Sequence, residues 1–145
     1  MIIVQLLPDQ VPKYWEIIKY VTVKANHYAE RDIPKQLNFL LFKLLSCKAQ
    51  CFIGVGEETR QVEAMLITSI INDKITDERS VFINVLYSFK VNSLDEWQDH
   101  SRVLLKLAKK HKCNIITTYS NNDRVFDILK KLGFIKRTNL YVKEL

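Results

Sequence analysis

Glycine is scarce in this chain: three residues in 145, Gly54, Gly56 and Gly133. A loop that cradles phosphate on bare backbone amides usually needs glycines close together. No such cluster exists, so a Walker-type nucleotide loop is excluded. Cysteine is also sparse. Cys47, Cys51 and Cys113 are odd in number and carry no disulfide spacing, which points to a reducing compartment. Cys47 and Cys51 stand four apart with no histidine or further cysteine at zinc spacing, so they read as buried thiols and no metal is expected. No apolar run approaches the roughly 18 residues of a membrane helix, and the first residues have neither a basic start nor a small-residue cleavage site. The expectation is a cytoplasmic protein without membrane contact. Repeats, linkers and low-complexity tracts are absent too.

Enough apolar sequence is present to make one packed domain, since 48% of the residues are hydrophobic and the length suits a single unit over residues 1–145. Charge is unevenly spread. Residues 101–145 hold 11 Lys and Arg against 3 Asp and Glu, a balance of +8, while residues 1–100 hold 11 against 13. The basic excess therefore belongs to the last third. Lys106, Lys109, Lys110, Lys112, Lys130, Lys131, Lys136 and Arg137 gather on one side if the last two helices flank the same end of a sheet. That face suits an acidic partner, with contacts to a phosphate backbone and no reading of bases. Ordinary solvated helix faces explain the same charges.

Periodicity orders the elements. Ile2–Leu7 reads as a short strand ended by Pro8. Pro12 opens a helix with a stripe of Tyr14, Ile17, Ile18 and Val21. His27–Ile33 is polar and reads as a loop. Pro34 opens a second helix whose core face is Leu37, Leu40, Leu41, Leu44 and Leu45. Phe39 and Phe42 share a side of that helix off this face, and two exposed phenylalanines mark a contact surface for a protein partner or a second copy. The competing explanation is that both rings tuck under the loop at His27–Ile33. Three strands follow at Cys51–Val55, Val62–Ile71 and Ser80–Phe89, and the short loops between them favour antiparallel pairing. Ser93 and Glu96 form a capping box for a long helix with Leu94, Trp97, Ser101, Leu104, Leu105 and Ala108 on one face. Ile115–Tyr119 is a β-rich strand, in which Tyr119 reads as core. Asn121, Asn122 and Asp123 are candidate caps for a last helix with the stripe Val125, Ile128, Leu129 and Leu132. Gly133 sits just past it, where positive φ is needed. Phe134–Arg137 and Asn139–Val142 read as a terminal hairpin.

An Asn that opens a short helix ending Leu132-Gly133-Phe134 resembles the last helix of the GNAT (Gcn5-related N-acetyltransferase) superfamily. The order β-α-α-β-β-β-α-β-α-β-β also resembles that superfamily over nearly the whole chain. The resemblance implies an α/β fold: a single GNAT-like domain with a mixed, mostly antiparallel sheet flanked by helices. It further implies an acetyl-CoA site whose pyrophosphate lies at the helix after the fourth strand, on a loop similar to Arg/Gln-x-x-Gly-x-Gly/Ala. Here that stretch is Phe89-Lys-Val-Asn-Ser-Leu-Asp-Glu-Trp97, without glycine. Asn92 and Ser93 are the equivalent positions. Asp95 and Glu96 add negative charge that stabilises the helix and repels a pyrophosphate. Many members carry a general-acid Tyr four residues before the glycine, where this chain has Leu129. Asn122 matches the Asn at the start of the last helix, and a plain cap explains it equally. The chain looks like the short GNAT-like proteins encoded by tailed bacteriophages, some of which are virion or head-associated components in the host cytoplasm or the particle. Three readings follow. The first is a non-catalytic binding or structural protein with no catalytic residue and no cofactor. The second is an acetyl-CoA-dependent N-acetyltransferase with an unusual coenzyme site. The third is a nucleic-acid-associated basic module.

Overall fold

The computed structural model describes residues 1–25, 32–120, 122–143 and 145. Strand β1 (Ile2–Gln5) leads through a 3-10 turn at Pro8–Gln10 into helix α1 (Val11–Ala25), and α2 is Ile33–Leu45. Strands β2 (Ala49–Val55), β3 (Val62–Asn72) and β4 (Arg79–Ser88) follow. Helix α3 (Leu94–Lys110), strand β5 (Ile115–Thr118) and helix α4 (Asp123–Lys131) complete the order. The loop expected at His27–Ile33 and the candidate cap Asn121 fall largely or wholly outside the described residues. Among the described residues no helix is long and apolar enough to cross a membrane, and no cluster of His, Cys, Asp or Glu is arranged to hold a metal.

The sheet is open, mixed and five-stranded, in the order β1-β2-β3-β4-β5. The first three pairings are antiparallel and β4–β5 is parallel. Alternation along β3 builds both cores. Met65 and Ile67 face Ile18 and Val21 of α1 and Leu44 of α2, while Leu66 faces Leu104, Leu107 and Ala108 of α3. A β-bulge interrupts β4. Thr68 pairs with Ile83 and Ile67 with Val85, which leaves Asn84 without a partner on β3. One extra residue reverses the phase of alternation. Val81 and Ile83 therefore lie on the α3 side, and Val85 and Tyr87 on the α1 side.

The structure corrects several sequence expectations. In α2 only Leu44 is buried; Leu40 and Leu41 sit at the margin of the core, and Leu45 is 45% exposed. The helix meets the sheet at β2. In α3 the buried stripe is Trp97, His100, Leu104, Leu107 and Ala108, while Leu94 and Leu105 are exposed. Leu105 is rotated about 100° from Leu104 around the axis, so one helix cannot bury both against a single sheet. Cys47 is exposed in the turn after α2, with φ of 59°, whereas Cys51 is buried and its thiol is pushed up to about 12 by desolvation. The terminal hairpin is not formed: residues 134–143 contain no strand. Phe134 packs against the α3 cluster and its N–H donates to Leu129 O at 2.9 Å, while Arg137 Nη1 reaches Glu78 Oε1 at 3.5 Å. Among the described residues β5 is the edge strand of the sheet.

Gly133 has φ of 90° and closes α4, with Phe134 N–H returning to Leu129 O. A Cβ at Gly133 would meet nothing within 4 Å, so a substitution there carries only the backbone cost. Gly133→Ala is expected to destabilise the fold by about 1–2 kcal/mol, the left-handed penalty of an L-residue. Urea denaturation measures it, and an unchanged midpoint would contradict the assignment.

Candidate functional site

The pairing of β4 with β5 ends at Ile83 and Thr118, yet β4 continues to Ser88. β5 ends there as well, so among the described residues Asn84–Ser88 of β4 have no strand beside them on the β5 side, and this unpaired stretch is the opening. Open α/β sheets receive ligands in such crevices, outside the carboxyl ends of adjacent parallel strands. Helix α3 starts just past β4 and α4 just past β5, so both helix N-termini stand at this end.

The first turn of α3 is closed by the chain itself. Ser93 Oγ accepts from Glu96 N at 3.2 Å, and Glu96 Oε2 accepts from Ser93 N at 2.9 Å. This capping box satisfies two amides at once. Lys90 Nζ lies 3.0 Å from Glu96 Oε1 and 2.8 Å from Glu63 Oε2 on β3. The Lys90 hydrogen bond holds Glu63 below the usual carboxylate range, and Lys90 followed by the Ser93 amide does the same for Glu96. Both carboxylates in turn raise Lys90. The first turn thus carries two carboxylates, Glu96 held by Lys90 and the Ser93 amide and Asp95 exposed beside it, where a pyrophosphate would need uncovered amides and positive potential. The residues present do not fit the coenzyme's diphosphate. Asn92 is the one position here that the cap leaves unexplained: its side-chain Oδ1 and Nδ2 are shielded from solvent and have no hydrogen-bond partner among the described residues.

Around the opening the expected chemistry is rearranged. Leu129 is buried, so the position of the general-acid Tyr is filled by a core leucine. Tyr119 was expected in the core and is instead 64% exposed at the mouth of β5, its ring edge-on to Phe82 with centroids 5.3 Å apart. It lies past the end of the sheet pairing, where no neighbouring strand covers it. Asn122 Oδ1 accepts from Arg124 N at 2.9 Å and acts as the cap of α4. On the α1 side stands a feature that sequence reasoning missed. Tyr20, Tyr87 and Phe89 form one aromatic cluster, with Tyr20 and Phe89 nearly parallel at 6.3 Å and Tyr87 edge-on to both. Burial and then the hydrogen bond to Tyr20 push the Tyr87 hydroxyl up.

Two surfaces lie outside the opening. Phe39 and Phe42 are 60% and 56% exposed on α2. Lys43 Nζ stands 4.9 Å from the Phe39 centroid and Lys48 Nζ 5.7 Å from that of Phe42. Between α3 and α4 runs a groove of about 270 Å³ lined by Gln98, Ser101, Arg102, Lys131 and Leu132. Lys106, Lys109, Lys110 and Lys130 are exposed on the same two helices.

No family model and no curated protein matches the chain. Solved structures do. A predicted acetyltransferase with acetyl-CoA from Clostridium acetobutylicum superposes with a TM-score of 0.73 at 17% identity, covering 99% of this chain and 95% of the other. The aminoglycoside 6'-N-acetyltransferase AAC(6')-IG from Acinetobacter haemolyticus gives 0.70 at 16% identity, covering 100% and 99%. A ribosomal-protein-alanine N-acetyltransferase from Brucella melitensis gives 0.71 at 9% identity over the full length of both chains. The chain has the GNAT fold.

Proposed function

We propose that this chain uses the GNAT fold without acetyl-CoA, as a binding or structural protein. One observation carries the reading: the first turn of α3 is capped by Ser93 and closed by Glu96, which Lys90 ties to Glu63. A pyrophosphate entering there would have to break the cap and face two carboxylates. The loss of a hydroxyl at Leu129 supports the same reading. The contact surface is the Phe39/Phe42 edge of α2, offered to a protein partner or a second copy. A tailed-phage particle is one assembly that would use such a face.

A second reading has its own support. The opening between β4 and β5, the bulge at Asn84 and the exposed Tyr119 retain the frame of a ligand crevice at the carboxyl ends of parallel strands. They favour an N-acetyltransferase whose coenzyme is held otherwise. Calorimetric titration with coenzyme A and acetyl-CoA separates the two. The expected result is no saturable heat up to about 1 mM, the upper end of ordinary enzyme KM values. A dissociation constant in the micromolar range would sink the first reading.

A further inference from the structure

We propose that the side of the molecule formed by α3, the end of α4 and the segment that follows binds the phosphodiester backbone of nucleic acid. The site lies apart from the β4–β5 opening. Several contacts assemble it. Arg102 and Lys131 line one groove between α3 and α4, although 29 positions separate them in the chain. Arg102, Lys106 and Lys109 follow each other at i, i+4 and i+7, so they share a face of α3. Past α4, Phe134 packs against the core cluster that includes Leu104, Leu107 and Ala108 of α3. Arg137 then meets Glu78, whose neighbour Arg79 donates from Nε to His111 O at 3.1 Å, at the last turn of α3. Arg102, Lys106 and Lys109 thus share one face of α3, with Lys131 across the groove from Arg102 and Arg137 tied near the C-terminal end of the helix.

The length of the band sets its reach. Arg102 to Lys109 spans about 10 Å along α3 at the helical rise. One strand of a duplex offers a phosphate per roughly 3.4 Å of axis, so the band faces about three of them. Among the described residues three carboxylates oppose it, the third being Asp127, one turn before Lys131 on α4. Asp99 accepts from Arg102 Nη1 at 2.6 Å, and Glu78 pairs with Arg137. Both pairs are solvent-exposed, where ion pairs are weak, and a guanidinium keeps further N–H donors for a phosphate. A polyanion is favoured over an acidic protein because no aromatic lines the groove. Protein interfaces anchor on aromatic side chains, and Phe39, Phe42 and Tyr20 stand on the helices across the sheet.

Fluorescence anisotropy on a short mixed-sequence duplex tests this on the full chain. The logarithm of affinity should fall with the logarithm of salt at a slope of about −2.7, which corresponds to a loss of roughly 40-fold between about 50 and 200 mM. The same affinity should hold for a scrambled sequence. Arg102→Gln with Lys131→Gln should reduce the slope by about 2, since each removes one phosphate contact. Lys13→Gln with Lys24→Gln on α1 should leave it unchanged. Circular dichroism confirms that both doubles are folded. No retention at about 50 mM salt would overturn the proposal. So would a groove variant with the parental slope, or a polyglutamate peptide that binds more tightly than the duplex at equal salt.

Discussion

Replacing Ile67 by alanine should remove about 3–4 kcal/mol of stability. Ile67 is fully buried on β3, the middle strand of the sheet, and pairs with Cys51 on one side and Val85 on the other, both 2% exposed or less. Its face also meets Ile18 and Val21 of α1 and Leu44 of α2. The site is hemmed in by β-sheet on both flanks and cannot collapse freely. The loss therefore combines transfer of the deleted methyl groups with a residual cavity, as large-to-small core changes do. A domain of this size has only about 5–15 kcal/mol in hand. The thermal midpoint should drop by roughly 10 °C. Ile75→Ala is the matched control, because Ile75 is 94% exposed in the turn between β3 and β4 and should change stability by under about 0.5 kcal/mol. Urea melts of both variants check the pair. A change under about 1 kcal/mol for Ile67→Ala would mean that β3 is not the centre of the core.

The sequence carried the element order because its signals are local. Pro12 and Pro34 mark two helix starts, Ser93 with Glu96 marks the third, and Asn122 caps the last. Gly133 ends α4 with the positive φ its position required. What was lost depends on pairing between distant residues. The bulge at Asn84 leaves no trace in β-propensity, yet it decides which side of the sheet Val85 and Tyr87 occupy. The alternation in residues 134–142 looks like a hairpin because propensity ignores the ties made by Phe134 and Arg137. Leu105 was favoured over Leu107 for the α3 face because apolar character alone does not fix the rotation of a helix on its sheet.

The candidate site divides along the same line. The capping box was legible as a spacing of three, and its conflict with a bound pyrophosphate follows from charge alone. Lys90 was not assigned to it, because Glu63 lies on another strand and only the β2–β3–β4 register brings it near. The Tyr20–Tyr87–Phe89 cluster joins α1 to the end of β4 and has no sequence signature. The exposure of Phe39 and Phe42 was legible, since five leucines already competed for the core side of α2. The groove shared by Arg102 and Lys131 required the fold to show that α4 ends against the middle of α3.

Trp97→Ala should cost about 3–5 kcal/mol, the range for a large aromatic removed from a buried site. Trp97 is 9% exposed in the first turns of α3, and its backbone N–H donates to Ser93 O at 3.2 Å. Its ring lies 5.5 Å from that of His100, which is 5% exposed and whose Nδ1 has no hydrogen-bond partner among the described residues. Desolvation holds His100 below its ordinary value of 6.5, outweighing the nearby Asp99 and Glu96, which pull it upward. The sign follows from linkage. The unfolded chain takes up this proton near pH 6.5 and the folded chain only at lower pH, so stability falls as pH drops from 6.5 through the folded value. Removing the indole admits water to the imidazole and relieves the desolvation. The His100 pKa should then move back towards 6.5, and the acid-side loss assigned to this residue should shrink. Trp97→Phe keeps most of the cover and should keep most of the shift, which guards against a merely unfolded alanine variant. NMR titration of the histidine ring, with urea melts between pH 5 and pH 7, reads both effects. A His100 pKa that is already ordinary in the parent chain, or unmoved by Trp97→Ala in a folded variant, would show that the indole is not what keeps this imidazole dry.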